Sequence, residues 1–264
     1  MLLPVIVLVL RETLEASLLI SVLLSISRIY DVSNRWLAVG FLSGMCFAVI
    51  YALNLSALSE SFEYMGQEVY NAFAMFLITG LLFCLCVMLS FSVSSKRLLI
   101  IVMAITVAFA ISREGGELFV FYSGFIITDQ NFVYAATSGF IGMAIGFSAG
   151  ALLYYSLIMA AEYKVLKLIQ IFFITLIASG MSLQAVQLLI QADWLPDIGT
   201  AWDSSFILPE SSILGQIAYA LFGYESTPTW LEIIAYGIAL SLMLITFALS
   251  LFKKSVRNTY VAAH

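Results

Sequence analysis

The sequence predicts an all-α polytopic membrane protein with about seven transmembrane helices. Only 10% of its 264 residues are charged, whereas soluble domains contain about 25%. The mean hydropathy is +1.06. Apolar runs recur along the chain, each near the roughly 20 residues that a helix needs to cross a bilayer. Runs such as 98–110 lack the polar–apolar alternation of barrel strands, so the spans are predicted to be helices.

The apolar runs place seven spans along the chain. They lie at about 2–28, 36–58, 69–92, 98–127, 132–158, 166–191 and 229–252. The longest break between spans contains an apolar stretch at 213–222, which predicts a short helix lying at the membrane interface. Since the spans and their short breaks use up the sequence, we expect a single transmembrane domain over residues 1–264.

The distribution of basic residues predicts the orientation of the spans. Lys and Arg collect on the cytoplasmic side of membrane proteins. Nine of the eleven Lys and Arg residues lie in alternate breaks: Arg28, Arg35, Lys96, Arg97, Lys164, Lys167, Lys253, Lys254 and Arg257. The N-terminus is therefore predicted to be outside and the C-terminus in the cytoplasm.

The two remaining basic residues, Arg11 and Arg113, lie inside predicted spans and begin the same pattern, Arg-Glu-x-x-Glu. The pattern comprises Arg11, Glu12 and Glu15 in span 1, and Arg113, Glu114 and Glu117 in span 4. A charge at the centre of a membrane helix costs at least ~2.5–3.5 kcal/mol. Charges retained at that cost indicate an ion or proton path; paired charges that serve packing alone are the alternative.

The spacing within each pattern puts both carboxylates on one side of a helix, since positions i and i+3 are neighbours there. Each Arg is also four residues from the second Glu and can hold that carboxylate ionised. Two such helices facing each other would combine four Glu with two Arg, a net charge of −2. Such a cluster of oxygen ligands suits a hard, highly charged cation.

An internal repeat accompanies the two motifs. Arg113 follows Arg11 by 102 residues, and the same offset relates Gly40 to Gly142 and Gly44 to Gly146. An offset of three spans reverses the orientation in the membrane, as in inverted-repeat transporters. We therefore expect a 3+3 inverted repeat plus a seventh helix. Repeat one covers about 1–92, repeat two about 98–191, and the seventh span about 229–252.

With these motifs in spans 1 and 4 of a seven-span protein, the chain resembles the oxidase-dependent ferric iron permease family. That family, also described as iron/lead transporters, includes fungal high-affinity iron permeases and EfeU-type bacterial proteins. The resemblance covers nearly the whole chain. It extends to the C-terminal segments Trp202-Asp203-Ser204-Ser205, Gly215-Gln216 and Leu221-Phe222-Gly223-Tyr224, followed by Pro228.

The resemblance implies a permease that takes up ferric iron from the extracytoplasmic side of a plasma or bacterial inner membrane. It implies iron-ligand roles for Glu12, Glu15, Glu114 and Glu117 and charge-balancing roles for Arg11 and Arg113. It also implies an acidic residue, Glu68, that opens span 3 and is a candidate entrance residue together with Glu60 and Glu63. Fe(III) would be a transported substrate, with no permanently bound cofactor. The expected partners are the iron ion, the lipid bilayer and a separate extracytoplasmic iron-oxidising or iron-delivering protein, with no nucleic acid.

Two further groups of polar residues admit two interpretations each. Glu60 and Glu63 form an outer acidic pair that is either an iron acceptor at the entrance or part of a solvated loop. Gln184, Gln187 and Gln191 follow one side of span 6, where helix–helix hydrogen bonding is the commoner use and a wet pathway the alternative.

Two other functions compete with ferric iron transport. Oxygen ligands alone do not settle the metal, so transport of lead or a divalent metal is an alternative. A membrane di-iron oxidase normally uses Glu-x-x-His motifs. The one histidine is His264, outside every span, which argues against the oxidase and against an enzyme.

The predicted orientation is testable by cysteine labelling. Single cysteines introduced after Glu60 and after Lys254 are expected to react with a membrane-impermeant reagent from opposite sides, the first from outside. Labelling of both positions from the same side would contradict the topology.

Overall fold

The computed structural model describes residues 2–91, 95–127, 132–159 and 163–262, and these residues are mostly helical. The side chains of Lys164, Lys254 and Arg257, and the whole of His264, lie outside the described residues. A single turn of 3₁₀ helix covers Phe62–Tyr64. The helices are α1 (Leu2–Ile29), α2 (Arg35–Leu53), α3 (Leu55–Ser59), α4 (Gly66–Ser90), α5 (Lys96–Ile127), α6 (Phe132–Met159), α7 (Tyr163–Gln191), α8 (Ile213–Phe222) and α9 (Trp230–Ala262).

The predicted all-α polytopic class is confirmed. Six helices of the described residues, α2, α4, α5, α6, α7 and α9, are long and apolar enough to cross a membrane. The 28-residue α1 is also long enough to span, although it carries the charges of Arg11, Glu12 and Glu15. Large residues of α1 such as Leu14, Leu19 and Leu23 are fully buried, so the charged helix lies inside the bundle.

Small residues bring α6 directly against α1. A methyl group added at Gly142, Gly146 or Gly150 would collide with α1, in the last two cases with the side chains of Thr13 and Ser17. Ser17 Oγ donates to the carbonyl oxygen of Gly146 at 2.9 Å, and Ser21 Oγ to that of Gly150 at 2.7 Å. Glycines four residues apart permit this close approach between membrane helices.

The same kind of contact joins α2 to α5. A methyl group at Gly40 or Gly44 would lie 2.7 Å from the carbonyl oxygen of Ala104 or Ala108. The first two helices of one half therefore pack crosswise onto those of the other half, α1 on α6 and α2 on α5. The third helices, α4 and α7, also pack together, and Thr79 Oγ1 donates to the carbonyl oxygen of Ala178 at 3.3 Å.

The two motif helices run in opposite directions. Lys96 Nζ, at the start of α5, donates to the carbonyl oxygen of Asp31, just beyond the end of α1, at 3.3 Å. Near the middle of both helices, Arg113 contacts Glu15. Antiparallel motif helices with crosswise partners are the geometry that an inverted repeat produces. The domain limits given above stay a prediction.

The glycines that make equivalent contacts in the two halves are not the ones that the 102-residue offset pairs; they differ from those pairs by one helical turn. Gly44 approaches Ala108 and Ile111, while Gly142 approaches Ile6 and Val9, the positions 102 residues earlier. Gly44 is thus the structural counterpart of Gly142, 98 residues later, and not of Gly146. The stretch from Arg113 to Gly142 is four residues shorter than the stretch from Arg11 to Gly44, and an ungapped offset does not account for this difference.

Helix α8 has the predicted bounds, but it does not lie at the interface. Gly223, the residue that follows α8, lies directly against Gly180, near the middle of α7. A methyl group added at Gly223 would collide with the Cα atom of Gly180. Gly223 has φ of +65°, a left-handed conformation that ends the helix and that glycine adopts without strain. Because two glycines allow the backbones to touch, α8 enters the bundle and reaches the depth of the motifs.

The glycine contacts yield a stability prediction. Gly146→Leu is expected to destabilise the fold by roughly 1–3 kcal/mol, since the new side chain overlaps Thr13 where α6 packs against α1. Gly80→Leu in α4 is the matched control, because nothing lies within 4 Å of that position. Thermal unfolding in detergent should show a lower midpoint for the first variant only; equal midpoints would contradict the packing.

Candidate cation site

The structure brings the two motifs together around one guanidinium group. Arg113 Nη1 donates to Glu15 Oε2 at 2.9 Å and to Glu114 Oε1 at 2.7 Å. Arg113 Nε also lies 3.4 Å from Glu117 Oε1. Its side chain is only 2% exposed. One buried cation therefore links carboxylates from both halves of the protein.

Three carboxylates converge beside this arginine. Glu12, Glu114 and Glu117 each present an oxygen within 4.8 Å of the other two. Glu12 and Glu114 are buried, and the second oxygen of each has no hydrogen-bond partner in the protein. Carboxylates this close in a low-dielectric site repel each other unless a counter-charge lies between them. A cation between these oxygens would relieve that repulsion, so the cluster is a candidate cation site.

The two arginines of the repeated motif have different surroundings. Arg113 is enclosed, whereas the Arg11 side chain is 36% exposed. Arg11 Nε lies 3.1 Å from Glu12 Oε1 and 3.9 Å from Glu15 Oε1. Its guanidinium carbon lies 5.2 Å from the ring centre of Tyr219 in α8, a cation–π distance. Arg113 is therefore the more enclosed counter-charge, although both arginines border open space next to the carboxylates.

That open space is a polar cavity of about 570 Å³. It extends from Glu12 and Glu117 to the ends of α4 and α7, where its wall includes Glu68, Gln191 and Glu210. We call this end the mouth. Past the motifs, in the opposite direction, the interior is apolar. There Leu19 and Leu23 of α1 belong to one core cluster with Ile78 and Leu82 of α4 and Ile174 of α7. In the part of the chain that the structure describes, the cavity thus reaches the mouth, and apolar packing lies on the other side of the motifs.

The structure places the three predicted entrance residues in different surroundings. Glu68 lies in the cavity wall. Glu60 is exposed and does not line the cavity, and Glu63 lines a separate depression of about 350 Å³ together with Asp193 and Trp194. Both glutamates belong to the surface turn that precedes α4, so this cavity does not include them.

Several cavity residues escaped the sequence analysis. Asn71, Glu210, Tyr219 and Glu225 line the cavity, and no motif distinguished them. Asn71 is nevertheless one of two amides in α4, and unlike Gln67 it lies beyond the first turn, where the helix is apolar, so its position was a signal in the sequence. Gln184, Gln187 and Gln191 also line the cavity, and Gln187 donates a hydrogen bond to Glu225 in the segment after α8, so both interpretations of these glutamines stay predictions.

A second group of carboxyl groups lies near the mouth. Gln187 Nε2 donates to Glu225 Oε1 at 2.7 Å, and Glu210 Oε1 accepts from Ser226 N and Ser226 Oγ, each at 2.6 Å. Burial, together with the neighbouring Glu232 and Glu210, raises the pKa of Glu225 to about 8. Glu225 therefore carries little charge at neutral pH, and the mouth is less acidic than its composition indicates.

Fold and site together define a polytopic α-helical membrane protein with a buried carboxylate cluster at the base of a polar cavity. The chain is 29% identical over 147 residues to the protein named ferrous iron permease EfeU from Shigella flexneri, covering 54% of this chain and 60% of that protein. It shows the same identity to proteins of that name from Shigella sonnei and Escherichia coli O157:H7, covering 51% of each.

These homologues confirm the resemblance to EfeU-type iron permeases. The matched region spans about half the length of the curated relatives. No protein-family model matches the chain. No solved structure matches it either. A multi-pass protein of the cell membrane is the setting that the helices and the relatives support.

The raised pKa of Glu225 predicts a pH-dependent stability difference. Its ordinary pKa is 4.5, so between about pH 4.5 and 8 the unfolded chain releases a proton that the folded protein keeps. The contribution of Glu225 to stability is full at acid pH and is lost as the pH rises through 8. The melting temperature of Glu225→Gln should thus exceed that of the wild type by an amount that grows from pH 5 to pH 8 and stays constant at higher pH. A difference in melting temperature that does not change with pH would contradict this prediction.

Proposed function

We propose that this protein is an iron permease that carries Fe(III) across the cell membrane through the site formed by the two Arg-Glu-x-x-Glu motifs. The observation that carries the proposal is the approach of Glu12, Glu114 and Glu117 oxygens to within 4.8 Å of one another at the base of the cavity. Homologues named as permeases favour transport over catalysis.

The donor set favours a hard cation. The four glutamates and two arginines of the motifs sum to a charge of −2, and every side-chain donor in the cluster is an oxygen. Carboxylate oxygens suit hard ions, whereas imidazole and thiolate suit softer ones. The relatives are named for ferrous iron. The concentration of carboxylates around one point supports the ferric ion as the preferred cargo here.

The cavity suggests how the ion reaches the site. With the predicted orientation, the mouth faces outside, and Glu68 and Glu210 in its wall attract cations. An arriving ion exchanges hydration water for carboxylate oxygens of Glu12, Glu114 and Glu117. Arg113 holds Glu15 and Glu114 in place when no ion is present, which limits repulsion in the empty site.

Release to the other side requires the two halves to rearrange. The apolar cluster around Leu19, Leu23 and Ile78 closes the path beyond the motifs. Inverted repeats provide a second, pseudo-symmetric arrangement in which that side opens and the mouth closes. A separate extracytoplasmic protein that oxidises or delivers iron is part of the proposal, and it rests on the resemblance to the oxidase-dependent permeases.

Uptake into proteoliposomes tests the proposal. Glu12→Gln and Glu114→Gln keep the shape of the side chain but remove a charge from the cluster, so iron uptake should fall by roughly tenfold or more. Glu60→Gln is the control, since Glu60 is exposed and away from the cavity. Ferric, ferrous, lead and manganese ions are compared in parallel. Full uptake by the Glu12 and Glu114 variants would remove these residues from the path, and a preference for lead or manganese would replace iron as the cargo.

The buried arginine provides a separate test. Arg113→Ala leaves Glu15, Glu114 and Glu117 without their shared counter-charge and should abolish most uptake. Arg113→Lys keeps the charge but loses the planar fork that reaches several carboxylates, so uptake should be intermediate. Uptake is normalised to the amount of protein in the membrane. Equal uptake by the alanine and lysine variants would mean that the charge at this position is not what the site requires.

A further inference from the structure

Asn71 places an amide at the carboxylate cluster from a helix that carries neither motif. It lies in α4, is 8% exposed and lines the cavity. Its Nδ2 donates to Glu117 Oε1 at 3.1 Å, while its Oδ1 is buried and has no hydrogen-bond partner. A buried carbonyl oxygen without a partner is unfavourable unless something else occupies its lone pairs.

The hydrogen bond to Glu117 determines which end of the Asn71 amide has no partner. Turning the amide around would place its oxygen against the carboxylate, so the NH₂ group must face Glu117. Oδ1 then joins Glu12 Oε2, Glu15 Oε1 and Glu114 Oε2 among the buried oxygens without a hydrogen-bond partner. Asn71 and Glu12 line the cavity, and Glu12 and Glu114 belong to the carboxylate cluster.

We propose that Asn71 Oδ1 is a neutral ligand of the cation held by Glu12, Glu114 and Glu117. The inference rests on the proposed function in placing a cation in the cluster. Hard cations accept amide carbonyl oxygens together with carboxylates. A neutral oxygen adds a protein ligand without adding charge. It therefore replaces a water molecule on the ion, while the net charge of the site, and with it the Coulomb attraction, stays the same.

The other half of the protein contains a similar pair. Gln184 of α7 is 3% exposed, and its Oε1 has no partner. Gln184 and Glu15 border a void of about 10 Å³, close to the space of a single water molecule. The third helix of each half thus sets an amide near the second glutamate of the other half's motif. This repetition favours a role at the site over an accident of packing in α4.

Terbium(III) is a suitable probe, because it is a hard trivalent ion whose luminescence decay in H₂O and D₂O counts its bound waters. The purified full-length protein in nanodiscs is titrated with Tb(III). Asn71→Leu is expected to bind the ion roughly tenfold more weakly and with about one more bound water, since water replaces the lost ligand. Asn71→Asp, which keeps an oxygen at this position, should retain the wild-type hydration number.

Gln170→Leu is the matched control. Gln170 is a fully buried amide of α7 with an unpartnered Oε1, but it bonds to Ser25 and does not line the cavity. Its replacement should leave the hydration number unchanged. A wild-type hydration number in Asn71→Leu would overturn the inference, and an extra water in both Asn71→Leu and Asn71→Asp would overturn it as well.

Glu12→Gln separates this inference from the proposed function. Loss of Tb(III) affinity in Glu12→Gln, combined with an unchanged hydration number in Asn71→Leu, would leave the carboxylate site standing without the amide ligand. The proposed function could also fail by itself. In that case Asn71→Leu would bind Tb(III) with one extra water, but the wild-type protein would transport no iron into proteoliposomes. That result would retain Asn71 as a ligand and reject the permease.

Discussion

The buried guanidinium of Arg113 is the interaction on which the site depends. It contacts Glu15 of one half and Glu114 and Glu117 of the other, so it fixes the relative position of α1 and α5. Without it, the largely buried carboxylates would repel each other with no fixed counter-charge between them. The same contact orients the carboxylates of Glu15, Glu114 and Glu117 around one point.

The glycine contacts make that interaction geometrically possible. Charged α1 is surrounded because α6 approaches it at Gly142, Gly146 and Gly150, while α2 supports α5 through Gly40 and Gly44. Each motif helix is thereby held by the second helix of the other half. The third helices, α4 and α7, are then free to bring Asn71 and Gln184 to the cavity wall, and α8 enters beside them through the Gly180–Gly223 contact.

Much of this arrangement was predictable because the membrane restricts what a sequence can do. Charges such as Arg113 and Glu114 stand out only against an apolar background, and their repeated spacing identified both motif helices. Asn71 and Tyr219 could not be recognised in the same way. An amide or a tyrosine is tolerated in many membrane helices, and its significance depends on which neighbour it meets.

The sequence by itself determined the all-α membrane class, the approximate spans and the six charged residues of the two motifs, since hydropathy and the cost of buried charge act locally along the chain. Only the tertiary structure decided that Glu12, Glu114 and Glu117 converge, that α8 enters the bundle, and that Glu68 lines the cavity while Glu60 does not. These outcomes depend on backbone approach and on a packing register shifted by one turn, which arise between helices and leave no periodic trace in the sequence.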